Sequence, residues 1–330
     1  MNKLIVLFLI GFISHSSVQA QFGYGKLEDV QQIQKVPLLV VLLSSNEKKV
    51  KKLSKKKNGN LEQYLADIDS YNTAVKNAFQ NSWNFSTDIK YITSEELKEY
   101  NSKQNKDKYA YFRQLIDVGD IGNVFDHKGA ITTYNYAIYL TGKRKPVYSH
   151  MYSTILPNEA DFKLISQQIQ GYLKARESLK TKEKSRKEIL AEIKANAPLL
   201  KQKTLLIEEE NLSKSVLQSI GELYKYPYKI VSRDEIDQAI ISDAKDMAYL
   251  RIIPVGQVSE NSGILKISNL IFMQYVINAE NGEYLAYVTP SPLRLPGLAG
   301  ALLNDNNDKM KKNDLLEIIE AIENGETQKF

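Results

Sequence analysis

Apolar positions along this chain fall into two kinds of run, short continuous ones and longer ones spaced by three or four, and the two kinds alternate. Lys35-Val36-Pro37-Leu38-Leu39-Val40-Val41-Leu42-Leu43 is continuous and rich in β-branched residues, the pattern of a strand covered on both faces. Leu61, Leu65, Ile68, Val75 and Phe79 then recur at helical spacing and predict an amphipathic helix of several turns. A β-rich stretch, Ile89–Ile92, stops at Thr93, and Glu96 follows three positions later. That is a capping box: the hydroxyl accepts from an orphan amide at the new helix start and the carboxylate reaches back to the cap's amide. Strands follow at Lys108–Arg113, Ala130–Leu140 and Pro146–Tyr152. A helix then runs over Glu159–Leu173 with Phe162, Ile165, Ile169 and Leu173 on one face.

The same order comes round again. Lys203–Ile207 is a buried strand, and Leu212, Val216, Ile220 and Leu223 mark a helix. Tyr228–Val231 is a strand ended by Ser232…Glu235, a second capping box about 140 residues after the first. Asp246–Arg251, Ile264–Ile277 and Tyr284–Val288 read as three strands, the last two joined through Asn281-Gly282, a hairpin signal whose residues tolerate positive φ. Leu315, Ile318, Ile319 and Ile322 place a closing helix over Asp314–Ile322. The expected fold class is α/β in two tandem repeats, each a mixed sheet built as strand, helix, strand, helix, three strands, helix. Convergence of two unrelated α/β units on one order is the alternative. Between them, Ala175–Lys201 alternates Lys and Arg with Glu around a narrow apolar stripe and reads as a charged connecting helix ended near Pro198. The expected boundaries are 1–20 for a signal peptide, 21–174 for the first repeat, 175–201 for the linker and 202–330 for the second repeat, each repeat with its own core.

The N-terminus has the order of a secretory signal: Met-Asn-Lys, an apolar run Leu4–Ile13, then Val18-Gln19-Ala20 before Gln21. The run is too short to span a bilayer, so cleavage after Ala20 and release to the periplasm or beyond is expected, with no transmembrane helix in the mature chain. The chain has no cysteine, which excludes a disulfide framework, a lipid-bearing cysteine, a thiol nucleophile and thiolate metal sites. The formal charge of +5 is modest and gives no reason to expect nucleic acid. Its sign is concentrated in Lys48–Lys57, where crowded like charges predict a solvated loop. Lys51, Lys52, Lys55, Lys56 and Lys57 are the candidates for peripheral contact with an anionic membrane surface or an acidic polysaccharide. A second candidate is the segment Thr289–Leu303, whose prolines stop strand pairing while its leucines remain to be buried. Leu293, Arg294 and Leu295 are its candidate partner contacts.

Motifs for chemistry are sparse. The mature chain has two histidines, His127 and His150, in different expected elements, and no Gly-x-Ser-x-Gly elbow accompanies them. Both read as loop or surface residues. No His-x-x-x-His pair, calcium loop or glycine-rich phosphate cradle appears, and Glu208-Glu209-Glu210 would repel a phosphate, so no cofactor or metal is expected. Most of the 20 tyrosines alternate along strands, and Trp83 sits where it would seal a helix end. Carboxylates in a cleft between the repeats are the one enzymatic route left open.

Asn72-Thr73-Ala74-Val75-Lys76-Asn77-Ala78-Phe79, Trp83-Asn84-Phe85 and Thr93-Ser94-Glu95-Glu96-Leu97 together resemble a family of uncharacterised exported proteins of Bacteroidota, most clearly over Tyr71–Arg113. The stretch from Leu212 to Val288, ending "VINAENGEYLAY", is more remotely similar to the small α/β modules of curli-secretion-type and Tol-type periplasmic proteins. Asn278 and Asn281 depart from the turn those modules carry. The resemblance implies envelope assembly or scaffolding work with another envelope component as partner, and brings no catalytic residue with it.

Overall fold

The structure, a computed structural model, describes residues 25–56, 59–115, 134–152, 156–178, 186–261, 266–288 and 308–325. The signal segment, Lys57, His127 and Leu293–Leu295 lie outside the described residues.

Two five-stranded mixed sheets carry the architecture. Sheet 1 holds β1 (Leu38–Val41), β2 (Ile89–Ile92), β3 (Ala110–Leu115), β4 (Tyr134–Leu140) and β5 (Tyr148–Tyr152) in the order β2-β1-β3-β4-β5. Sheet 2 holds β6 (Thr204–Glu208), β7 (Tyr228–Val231), β8 (Met247–Asn261), β9 (Lys266–Asn278) and β10 (Tyr284–Val288) in the order β7-β6-β8-β9-β10. In each, the first strand runs parallel to both neighbours and the last two are antiparallel additions. The register agrees as well: Ala110 pairs with Leu38 and Leu140, and Ala248 pairs with Leu205 and Asn278.

The helices are α1 (Leu27–Lys35), α2 (Glu47–Ser54), α3 (Leu61–Ser82), α4 (Ser94–Tyr100), α5 (Glu159–Ser178), α6 (Arg186–Asn196), α7 (Lys214–Leu223), α8 (Arg233–Ile241) and α9 (Lys312–Asn324). In sheet 1 the chain steps from β1 outward to β2, then back across β1 to β3. Crossovers of a single hand put the helices of those two steps on opposite faces. α3 accordingly packs on the Leu38, Val40 and Phe112 side, while Leu97 of α4 packs on Leu39, Val41 and Tyr111. Both capping boxes form: Thr93 Oγ1 accepts from Glu96 N at 3.2 Å and Ser232 Oγ from Glu235 N at 3.3 Å, with each glutamate returning to its cap's amide. Those backbone hydrogen bonds hold both glutamates below the usual carboxylate range. Trp83 is the C-cap of α3 and stacks on Phe79, as its position predicts.

Several expectations need correction. The lysine block is helical from Lys48 to Ser54, where a loop was expected. Asn46 caps α2 by accepting from Lys49 N, Glu47 sits in the first turn, and Lys51 and Lys52 sit in the last, where the helix dipole favours cations. In the second hairpin Gly282 alone has positive φ (+74°), and the turn closes through Gly282 N donating to Asn278 O at 2.9 Å. Of the connecting segment, α5 runs on to Ser178 and α6 covers Arg186–Asn196, and a 3-10 turn, Ala197–Lys201, follows, whose Ala197 and Leu200 are buried with Leu205, Leu285 and Ile318 in the second sheet's outer core.

The core itself is not two separate interiors. One hydrophobic cluster joins Leu38, Phe112, Tyr136 and Ile138 of sheet 1 to Leu206, Tyr249, Tyr275 and Ile277 of sheet 2. α5 runs through that cluster. Phe162, Ile165, Ile169 and Leu173 are fully buried, but so are Ala160, Leu164 and Ser166 on its other sides. A helix buried on several sides sits between two layers, and α5 packs on α3 and on α8. α8 lies on the face of sheet 2 that matches the α4 face of sheet 1, while α7 and α9 cover the other. The two sheets are therefore stacked back to front.

Candidate functional site

The buried charged residues, Asp314 apart, gather where α5 meets sheet 2. α5 begins after Pro157-Asn158, and Asp161 and Asn158 hold each other across its first turn: Asn158 N donates to Asp161 Oδ2 at 3.2 Å and Asp161 N to Asn158 Oδ1 at 3.0 Å. This leaves Asp161 Oδ1 facing away from the helix, where three donors reach it: Tyr152 Oη at 2.6 Å from β5, Arg233 Nη2 at 2.5 Å from α8 and Arg251 Nη2 at 2.7 Å from β8. Asp161 and Arg251 are 4 % and 5 % exposed, so this pair works where water screens it least.

Arg233 spreads over three carboxylates. Its Nε donates to Asp237 Oδ1 at 2.7 Å, its Nη1 lies 3.6 Å from Glu208 Oε1, and Asn158 Nδ2 adds a 2.6 Å bond to Asp237 Oδ2. Arg251 Nη1 stands 3.9 Å from the same Glu208 oxygen. Burial raises the Glu208 and Asp237 carboxyls above their ordinary values, and Arg233 opposes that rise at both. The Arg233 guanidinium is raised in turn: its own burial works against the charge, and Asp161, Tyr152 and Asp237 outweigh it. Tyr152 is pushed far up by burial and by the Asp161 charge, so it stays a neutral donor. Further along, Lys163 Nζ, nearly buried, donates to Ile241 O at 2.8 Å and pairs with Asp243 at 2.8 Å. At the far hairpin Gln168 donates to Gly282 O, and a Cβ at Gly282 would lie 2.7 Å from Gln167 Oε1. Glycine is needed there twice over, for its positive φ and for this contact.

Tyr152, Asn158, Asp161, Glu208, Arg233 and Arg251 line a cleft of about 380 Å³ together with Glu210, Asn211 and Ile252. Its chemistry is that of an arginine–carboxylate network in which Glu208 is held by the longest of the ionic contacts. A second hollow, about 390 Å³, lies at the opposite end of sheet 1 among Asn101, Lys103, Lys106, Gly142, Lys143 and Arg144. There Lys143 is paired to Asp29 and lies 3.5 Å from Asp107. No cluster of three or more His, Asp or Glu suited to a metal ion occurs among the described residues, and no described helix is long and apolar enough to cross a membrane.

Of the residues singled out in the sequence, Lys51, Lys52, Lys55 and Lys56 are exposed together on and just beyond α2, and none of them lines the cleft. His150, expected at the surface, is fully buried on β5 opposite Tyr136. Neither ring nitrogen has a hydrogen-bond partner, and burial lowers its pKa to about 4. The ionic network carries no single local motif, since Asp161, Glu208, Arg233, Asp237 and Arg251 come from four elements. The signal available was Arg251 inside a strand otherwise apolar from Met247 to Ile253, because a charge in a buried strand requires a partner. No family model, curated protein or solved structure matches the chain.

Proposed function

We propose that this chain is an exported, noncatalytic envelope protein in which one α/β blueprint was duplicated, and that it binds another envelope component as part of an assembly or scaffold. The observation that carries the reading is the saturation of Asp161: one carboxylate oxygen takes three donors from β5, α8 and β8. Groups committed to one another in this way hold the two sheets in one orientation and are poorly disposed to accept or release a proton from a substrate. The shared register of the sheets supports the duplication. The exposed lysines of α2 supply the contact surface, for a partner or for anionic headgroups. In-cell crosslinking from α2, with the partner identified and then lost when Lys51, Lys52, Lys55 and Lys56 are changed to Gln, tests this. Crosslinking unchanged by the four substitutions would remove α2 from the reading.

Glu208 favours one second reading, a hydrolase working through cleft carboxylates. It is desolvated, its carboxyl is raised, and its arginine contacts at 3.6 and 3.9 Å are too long to be close hydrogen bonds. Glycan hydrolysis by the purified chain, abolished by Glu208→Gln with the fold intact, would replace the scaffold reading.

A further inference from the structure

The third and fourth strands of sheet 2 are far longer than those beside them. β8 has 15 residues and β9 has 13, against 5 each in β6 and β10. β6 pairs with β8 only as far as Tyr249, and β10 pairs with β9 only as far as Gln274. β8 and β9 nevertheless stay paired with each other out to Asn261 and Lys266. The sheet thus continues as a two-stranded ribbon, and among the described residues no third strand joins it. A two-stranded ribbon is marginal on its own in water, and a free edge invites another strand.

The two edges are not equivalent. Along β8, Pro254 lacks an N–H and the register slips between Pro254 and Gly256, two devices that discourage pairing, and the base of the strand lies against β5. Along β9, Ile267-Ser268-Asn269-Leu270-Ile271-Phe272-Met273 has no proline, glycine or charge, and its register against β8 is unbroken from Lys266 to Ile271. An uncharged, β-prone heptad of this kind pairs readily with a copy of itself. The chain's own continuation past Val288 carries Pro290, Pro292 and Pro296, none of which has an N–H to give to a ladder.

We propose that the β9 edge is a self-association site, at which β9 of a second copy adds antiparallel to make a four-stranded ribbon across two chains. Antiparallel pairing is favoured by charge: it sends the two Lys266 side chains to opposite ends of the seam, whereas parallel pairing would set them side by side. The contact is isologous, so it closes at two chains. It stands whether or not the scaffold reading holds.

The absence of cysteine makes the test clean. The mass of the unaltered full chain, followed by light scattering over a dilution series, doubles with rising concentration. Under mild oxidation the single-cysteine chains Asn269→Cys and Leu270→Cys form disulfide-linked dimers, and Val258→Cys on the β8 edge does not. A monomeric mass throughout overturns the proposal without any variant. So does linkage equally fast from Val258→Cys, or a ribbon that takes up an unrelated strand peptide while the chain stays monomeric.

Discussion

Arg113 and Arg251 occupy matching places in the two sheets, each three residues past the alanine that pairs both ways, yet one is exposed and the other buried. Arg113 lies over the Tyr139 ring of its own sheet, whereas Arg251 reaches out of its sheet to Asp161 of α5. Their helices repeat the contrast. Asp161 on α5 takes two arginines, while Asp314 sits at the same third position of α9, accepts from its own cap residue Lys311 at 2.9 Å and takes a neutral partner, Gln274 Nε2 at 3.2 Å. One topology thus serves two ends: the helix of the first unit is a docking face and the helix of the second is an outer cover.

The most severe way to break that contrast is Asp161→Ala. It strands Arg251 without its buried partner and should destabilise the protein by about 3–5 kcal/mol. Asp314→Ala, which removes a cap and a neutral bond, should cost about 1–2 kcal/mol. Urea unfolding of both checks the ranking, and equal losses would show that the seam is no stronger than an ordinary helix start.

How much of this could be read beforehand follows from what each feature depends on. The helix starts at Thr93 and Ser232 were legible because a capping box is a local interaction over three residues. Element order was legible because periodicity is local too. The shared core was not, since the apolar stripe of α5 reads the same whether its back faces water or a second sheet, and only Leu164 and Ala160 off the stripe hinted otherwise. The helix in the lysine block was missed because repulsion was weighed without the Asn46 cap. His150 was missed because burial depends on what β5 faces.

His150 sharpens the comparison through pH. The register puts Val288 at its place in sheet 2, opposite Gln274, so only the first sheet carries a titrating group there. Its folded pKa of about 4 lies below its ordinary 6.5, so the unfolded chain binds the proton more tightly. Its contribution is intact above pH 6.5 and is lost as pH falls from there to about 4, by about 1.4 kcal/mol per pH unit. The loss should vanish in His150→Leu when the two chains' stability–pH curves are subtracted. An unchanged slope would mean that the imidazole reaches water.

The gentlest comparison is between the caps. Thr93→Ala and Ser232→Ala should each cost about 1 kcal/mol, alike in the two units, because each removes the same pair of local hydrogen bonds at an exposed helix start. A clear inequality in thermal unfolding would show that α8, pressed against α5, is held by its neighbours more than by its own first turn.

Stacking the sheets back to front gives the molecule two dissimilar poles, with α4 over one and α7 and α9 over the other. An arrangement stacked back to front has no two-fold axis of its own. Any closed assembly must take its symmetry from contacts between chains, and an interacting protein approaching from either side meets a different surface.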